Sequence, residues 1–340
     1  MRIVLITTTI RVPKVLELYR QIGPDVIFLV AGDRKTPHED VKQLMKDLGN
    51  AIYYSDEDQK KFGYSCSDVI GWNSVQRRNV VLLEAMKLRP DIVVTIDDDN
   101  IPMNHNYFAD FESAFKNNFS GLNAVSETGW FNIGAFLEGH LYHRGFPYEL
   151  KHVDLRIRLE PKSNIKIGVV AGLWLGDPDI DAIERIERRP VLHQISEALQ
   201  DGLVVDSNCF APFNSQNTAY LSKVAPLMVL ITEIGRYDDI WAAYISERIM
   251  RESGYHVLFG KPFVWQERNS HNLLEDLKNE IFGMEYTRRF CNDLLAMDLG
   301  KGTMLDKLFR LFELIENLDY LPPIMHKLGK YWCKDIESVM

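Results

Sequence analysis

The chain has 340 residues, 46% of them hydrophobic, enough to build a full core for one large domain or two modest ones. A formal charge of −9 argues against a nucleic-acid partner or an anionic membrane surface, because phosphate binding depends on neutralisation by Lys and Arg. Cys66, Cys209, Cys291 and Cys333 show no CxxC spacing, so neither a zinc site nor a disulfide framework is indicated, and a reducing, cytoplasmic setting is expected.

The opening MRIVLITTTI is too short for a membrane span and lacks a small-residue cleavage site, so it reads as a first strand. Strand-like and helix-like stretches then alternate: PKVLELYRQIG, DVIFLVAG, HEDVKQLMKDLG, AIYYS, a long segment from Ser67 to Leu88, and DIVVTID. Such alternation predicts an α/β fold with a mostly parallel central sheet flanked by helices. The helices rest on stripes such as Val12, Val15, Leu16 and Tyr19, or Val41, Leu44, Met45 and Leu48. No GxGxxG follows the first strand, where TTTIRVP stands, so a dinucleotide fingerprint is absent. From about 119 to 213 the pattern becomes irregular and rich in Gly, Pro and aromatics, as suits loops that form a site on a rigid scaffold. Helical spacing returns in DDIWAAYISERIMRESG, a strand-like YHVLFG follows, and the rest is mostly helical. With no repeat or linker, the expected organisation is a catalytic domain over 1–280 and a helical extension over 281–340 packed on it. The apolar spacing of LDKLFRLFELIENL suits packing on the domain or on another subunit of a homo-oligomer.

The stretch VVTIDDDNIP ends a strand-like run with Asp97, Asp98 and Asp99. Ligands of open parallel sheets bind outside the carboxyl ends of the strands, and three adjacent carboxylates repel one another unless a cation neutralises them. A hard divalent ion, Mn²⁺ or Mg²⁺, is the natural match. Asp97 and Asp99 point the same way along an extended backbone, so one can hold the metal while the other acts through water or on a sugar hydroxyl; Asp98 faces the other side. The plainer alternative is a turn before Pro102. A metal here would bridge the oxygens of a diphosphate. Asp33, ending the second strand, can accept from a pyrimidine N–H or serve an ordinary turn. Arg77 and Arg78, on the helix feeding the acidic strand, suit bidentate phosphate binding or a solvated face. Thr7, Thr8 and Arg11 close the first strand and can line a base pocket. A strand-end D-x-D on such a sheet resembles the glycosyltransferases of the GT-A fold and implies a GT-A-like, nucleotide-sugar-binding architecture.

Taken together, TIRVPKVLELYR, TIDDD, RGFPYEL, GLWLGDPDIDA and IGRYDDIWAAY resemble the reversibly glycosylated polypeptides, the plant UDP-arabinopyranose mutases and their microbial relatives, from roughly residue 5 to 280. The resemblance implies that Asp97, Asp98 and Asp99 form the metal and UDP-sugar motif, and that Arg144 is the reversibly glycosylated arginine. A guanidinium has no free lone pair, so Arg144 as a nucleophile would need a carboxylate to take a proton. Asp238 and Asp239 are the candidates, with helix capping as their alternative role. Arg236 of the same motif would meet the nucleotide sugar. Arg144 as a diphosphate or sugar clamp is the competing reading.

Departures from the family fall at Lys151, where a second arginine is usual, and at Gln266, where a histidine is usual; His271 is the displaced candidate for a third metal ligand. Trp130, Phe131, Asn132 and Trp174 suit either a sugar-facing wall or the core. Asp177, Asp179 and Asp181 stand near a helix start that capping by one of them would explain. Asn214 and Asn217 fall where the family has a site loop, or in a turn. The expected function is a UDP-sugar-dependent intramolecular transferase interconverting pyranose and furanose. The alternatives are a metal-dependent glycosyltransferase acting on a separate acceptor, and a non-catalytic nucleotide-sugar-binding partner subunit.

Overall fold

A computed structural model describes residues 1–268 and 272–340. Its first half follows the alternation in the sequence: β1 (Ile3–Thr9), α1 (Leu16–Ile22), β2 (Ile27–Gly32), α2 (His38–Leu48), β3 (Ala51–Tyr54), the short α3 (Asp56–Lys60) and α4 (Ser65–Ile70), α5 (Arg78–Lys87) and β4 (Ile92–Ile96). The strands lie in the order β3-β2-β1-β4 and every pairing among them is parallel. Every residue of α5 from Arg78 to Met86 is buried, which is why its sequence shows no clean polar face.

The remaining elements are β5 (Asn100–Pro102), α6 (Tyr107–Lys116), β6 (Phe119–Ser126), β7 (Ile157–Gly176), α7 (Ala182–Glu187), β8 (Leu203–Val205), β9 (Asn217–Leu221), α8 (Asp238–Ser253), β10 (Tyr255–Gln266), α9 (Leu273–Ala296), α10 (Met304–Leu314) and α11 (Pro323–Val339). They extend the sheet to ten strands, β3-β2-β1-β4-β9-β7-β6-β8-β10-β5, with β7 also paired to β10. Here the expectation of a mostly parallel sheet is corrected. The β9 strand runs antiparallel to both β4 and β7, and β6 antiparallel to β7, while β10 is parallel to β7. Antiparallel neighbours need no crossover helix, so long irregular connections can replace one.

That switch positions the site. Because β9 enters the sheet antiparallel, its first residue, Asn217, pairs with Ile96, the last of β4, and the Asp97 N–H donates to the Gln216 carbonyl at 3.0 Å. The ends of β7 and β10 meet nearby, with Gln266 paired to Gly176 and to Asn100. Loop residues before β9 thus lie beside loop residues after β4 and β10.

The C-terminal helices close over α8. Trp241 of α8 stacks on Phe290 of α9 at 4.2 Å between ring centroids, and its Nε1 donates to Thr287. On α11, Asp335 accepts from the first backbone N–H groups of α4, at Ser65 and Cys66. The stripe of α10 is used within the chain, with Leu308, Leu311 and Phe312 buried. Among the described residues no helix is long and apolar enough to cross a membrane.

Candidate active site

A cavity of ≈ 250 Å³ opens where these strand ends and the start of α8 converge, lined by Gln76, Arg78, Asp97, Asp99, Arg144, Ser215, Gln216, Arg236, Asp238, Asp239, Gln266 and Arg268 among others. Two glycines explain how its walls close. Gly145 has a positive φ of 93°, and a Cβ there would stand 2.3 Å from Ile240 Cγ2, so the loop carrying Arg144 lies directly on α8. Gly235, at φ 64°, would clash with the Asn279 carbonyl at 1.9 Å if it bore a side chain, which lets α9 press against the entry to α8.

One ladder of polar contacts crosses the cavity wall. Asp97 Oδ1 accepts from Arg78 Nη2 at 2.6 Å, and Arg78 Nη1 donates to Ser215 Oγ at 2.7 Å and to the Ser215 carbonyl at 2.9 Å. The Ser215 N–H and hydroxyl both donate to Asp239 Oδ2, at 3.0 and 3.2 Å. Asp239 Oδ1 in turn accepts from both terminal nitrogens of Arg144 at 3.3 Å. On its other edge Arg144 makes a forked pair with the fully buried Asp179, Nε to Oδ1 at 2.8 Å and Nη2 to Oδ2 at 2.9 Å. Asp238 stands apart from the ladder, accepting from Gln76 Nε2 at 2.8 Å.

Charge follows geometry. Burial, then the neighbouring Asp97 and Asp98, push the Asp99 carboxyl up to about 7. Burial beside Asp239 does the same to Asp238, also to about 7. Burial would raise Asp179 too, but the charge of Arg144 and its forked hydrogen bonds outweigh it and hold that carboxyl well below the ordinary range. Burial likewise works against the charge of Arg144, and Asp179 and Asp239 more than offset it, so the guanidinium keeps its proton. Asp238 and Asp239 do not cap α8, which begins without a side-chain cap, but both stand in its first turn, where the helix dipole favours carboxylates.

Of the residues singled out from the sequence, Arg78, Asp97, Asp99, Arg144, Arg236, Asp238, Asp239 and Gln266 line this cavity; others are used differently. Asp98 turns to β1, accepting from Thr9 Oγ1 at 2.7 Å with Arg11 Nε at 4.0 Å, and Thr8 is half-buried at the end of that strand. Asp33 accepts from the backbone N–H groups of Arg34 and Ser74, which ties down the turn before α5. Arg77 is 1% exposed, donating to Gln59, Ser67 and Gly71 with its guanidinium over Trp72, so it knits α3 and α4 to the sheet. Trp130 packs among Phe146, Phe210 and Tyr244, and Trp174 is 1% exposed beside His143; neither forms a sugar-facing wall. Asn132 accepts from the N–H groups of Gly134 and His143, bracing the loop that carries Arg144. Asn217 accepts from the Tyr107 hydroxyl and donates to the Leu173 and Pro262 carbonyls. Arg236 reaches back to Glu280 and Asp276 of α9. Lys151 pairs with Asp181, the N-cap of α7, outside the cavity. His271 lies outside the described residues.

Gln76, Ser215, Gln216 and Arg268 were not singled out from the sequence, and Asp179 only as one of three possible caps. A serine that links two charged groups leaves no pattern in a sequence, because its role exists only once β9 lies against β4. Arg268 had a signal, a lone cation just after the last strand.

The residues at the acidic end fit a hard cation in part. Asp97 and Asp99 bring carboxylate oxygens to one cavity, where burial and the neighbouring carboxylates disfavour a further negative charge. Among the described residues no group of three His, Cys, Asp or Glu side chains could hold a metal by itself. Such a donor pair suits an ion that keeps water and takes its remaining oxygens from a phosphate.

Comparison with known proteins agrees with the motifs. The chain is 24% identical over 275 residues to "Probable UDP-arabinopyranose mutase 1" of Pisum sativum, covering 77% of this chain and 64% of that one. It is 25% identical over 254 residues to "UDP-arabinopyranose mutase 1" of Oryza sativa subsp. japonica, covering 72% and 60%. The chain thus spans under two thirds of the length of these curated relatives. Among solved structures, 4-diphosphocytidyl-2C-methyl-D-erythritol synthase of Anaerococcus prevotii aligns with a TM-score of 0.31 at 13% identity, over 85% of this chain and 96% of that one. The family model described as reversibly glycosylated polypeptide matches residues 3–305, a span that takes in the acidic strand end, the arginine loop and the paired aspartates of the cavity. The chain belongs to the reversibly glycosylated polypeptide family.

Proposed function

We infer that this protein is a UDP-sugar mutase, interconverting the pyranose and furanose forms of a nucleotide-linked sugar on a GT-A-like sheet. The observation that carries this reading is the cavity itself: it brings together a carboxylate pair suited to a diphosphate-bound cation, a buried arginine joined to that pair through Arg78, Ser215 and Asp239, and the Asp238 carboxyl. When bound at Asp97 and Asp99, Mn²⁺ or Mg²⁺ would neutralise the diphosphate as it leaves.

The protein's own groups supply the rest. The bond between C1 and the diphosphate oxygen breaks with its electron pair on the diphosphate, and the same oxygen later closes on C1 of the other ring form, so no co-substrate is consumed. Changing ring size forms a bond from C1 to the hydroxyl oxygen that closes the new ring, which gives up its proton, and breaks the bond from C1 to the former ring oxygen, which takes one. Asp238, poised near neutral pH, suits that transfer in both directions. Arg144 keeps its proton and is held on two edges by Asp179 and Asp239, which favours a fixed cation beside the sugar over a nucleophile.

Incubating the purified protein with UDP-sugars and Mn²⁺, without acceptor, tests this. Recovery of a ring isomer by anion-exchange chromatography is expected. Transfer of the sugar seen only after an acceptor is added would instead establish an acceptor glycosyltransferase.

A further inference from the structure

Arg268 stands two residues beyond the end of β10 and lines the same cavity as Asp97, Asp99 and Arg144. Its side chain is 10% exposed, so its charge is largely withdrawn from water. Among the described residues its ion-pair partner is Asp179 Oδ1, at 3.7 Å, beyond hydrogen-bonding distance. Asp179 is already committed, accepting from Arg144 twice and from Asn214 Nδ2 at 2.7 Å. That carboxylate is shared with another arginine, and Arg268 lines the cavity, where its fork of donors can meet an anion.

The surroundings of Arg268 sharpen the point. Burial, countered by Asp179, and the like charges of Arg185, Arg236 and Arg144 lower its proton affinity, the condition an arriving anion would relieve. Its field is also felt by Asp99, whose carbonyl lies 3.4 Å from the N–H of the adjoining Glu267. Two residues earlier, Gln266 cannot stand in as a charged ligand: its Oε1 accepts from Gln216 Nε2 at 2.8 Å, and Gln216 Oε1 accepts from Asn214. The acidic end therefore has two carboxylates and an amide, and Arg268 stands with Arg78, Arg144 and Arg236 among the cationic side chains that line the same cavity.

We propose that Arg268 binds the diphosphate of the nucleotide sugar, sharing with the cation at Asp97 and Asp99 the neutralisation of the leaving group. The assignment rests on the reading that a nucleoside diphosphate occupies this cavity. It makes anion binding in this chain partly independent of metal, since a guanidinium contacts phosphate oxygens whether or not an ion is present.

The test is calorimetric titration of the full chain with UDP, uridine and inorganic pyrophosphate, each in Mn²⁺ and in EDTA, for wild type, Arg268→Gln and Arg268→Lys. The wild type is expected to bind pyrophosphate and UDP in EDTA. Arg268→Gln should weaken both by roughly tenfold or more, the worth of one charge-assisted contact, and leave uridine unchanged, with Arg268→Lys in between. Wild-type binding of pyrophosphate but not of UDP would keep the anion site and sink the nucleotide reading. Equal affinity of wild type and Arg268→Gln for pyrophosphate, or no pyrophosphate binding by either, overturns the assignment. So does a parallel loss of uridine affinity with a lowered ligand-free melting temperature, which would mark Arg268 as structural support for Asp179.

Discussion

Asp179 grips the Nε and Nη2 atoms of Arg144 at 2.8 and 2.9 Å from a position with no solvent exposure, so the orientation of the guanidinium is set by a residue 35 positions along the chain. Removing one member of a buried pair strands the charge of the other, which costs more than the pair itself contributes. Asp179→Asn is therefore expected to lose about 3 kcal/mol or more of unfolding free energy in urea titrations. The double variant with Arg144→Gln should recover part of that loss. Additive losses in the double-mutant cycle would show that the two side chains act independently.

Asp238 gives the pH dependence a sign. Its carboxyl is pushed up to about 7 in the folded chain from an ordinary value of 3.8, by burial and then by Asp239. The folded state therefore holds a proton that the unfolded state releases between about pH 4 and 7, and the stability contributed by this group falls as pH rises through that window. Asp238→Asn carries no such proton. Its melting temperature should drop less than that of wild type between pH 5 and 8, by the equivalent of roughly 1–3 kcal/mol. Catalytic turnover should at the same time lose its dependence on a group titrating near neutrality.

Arg77 and Arg78 are adjacent and equally basic, yet the structure gives them opposite work. Arg77 donates to Gln59, Ser67 and Gly71 away from the cavity, while Arg78 joins Asp97 to Ser215 inside it. Arg77→Lys should lower stability by about 1–3 kcal/mol, because buried acceptors lose their donors, and leave UDP affinity within twofold. Arg78→Lys should weaken Mn²⁺-dependent UDP binding by about tenfold, since an ammonium cannot serve Asp97 and Ser215 in the same planar geometry. Isothermal titration paired with urea unfolding separates the two. A loss of UDP affinity in Arg77→Lys at unchanged stability would return that residue to the site.

The two arginines also show where reading the sequence reaches its limit. Periodicity placed β1 to β4 with their helices, because β1, β2 and β4 are buried on both faces and read as apolar runs, and the strand-end rule put Asp97 and Asp99 in a cavity. It did not reveal β7, whose first half, IRLEPKSN, is polar and mostly exposed and so looks like a loop. Without β7 the antiparallel entry of β9 is invisible, and with it the approach of Ser215 to Arg78 and Asp239. Residue type marked Trp130, Trp174, Asn132 and Asn217 as ligand-facing, but aromatic rings and amides serve the core and the loop braces equally well. Their hydrogen bonds and packing, which belong to the tertiary structure, decide between the two.

The acidic strand end should behave as a site strained by its own charge. Asp97, Asp98 and Asp99 are consecutive; Arg78 donates to Asp97, Thr9 donates to Asp98 with Arg11 nearby, and Asp99 is partly buried beside both carboxylates. Replacing the charge of Asp99 removes a repulsion that a bound cation would otherwise screen. Asp99→Asn is therefore expected to melt higher than wild type in EDTA at pH 8, by about 1–2 °C, the equivalent of about 1 kcal/mol for a chain of this size. In Mn²⁺ with UDP the order should reverse, because wild type gains binding energy that the variant lacks one ligand to collect. Thermal-shift curves for both proteins with EDTA, Mn²⁺ alone, UDP alone and the two together read this directly. If Asp99→Asn is stabilised by Mn²⁺ and UDP as much as wild type, the cation is held by other groups, and Asp99 carries its charge for a different purpose.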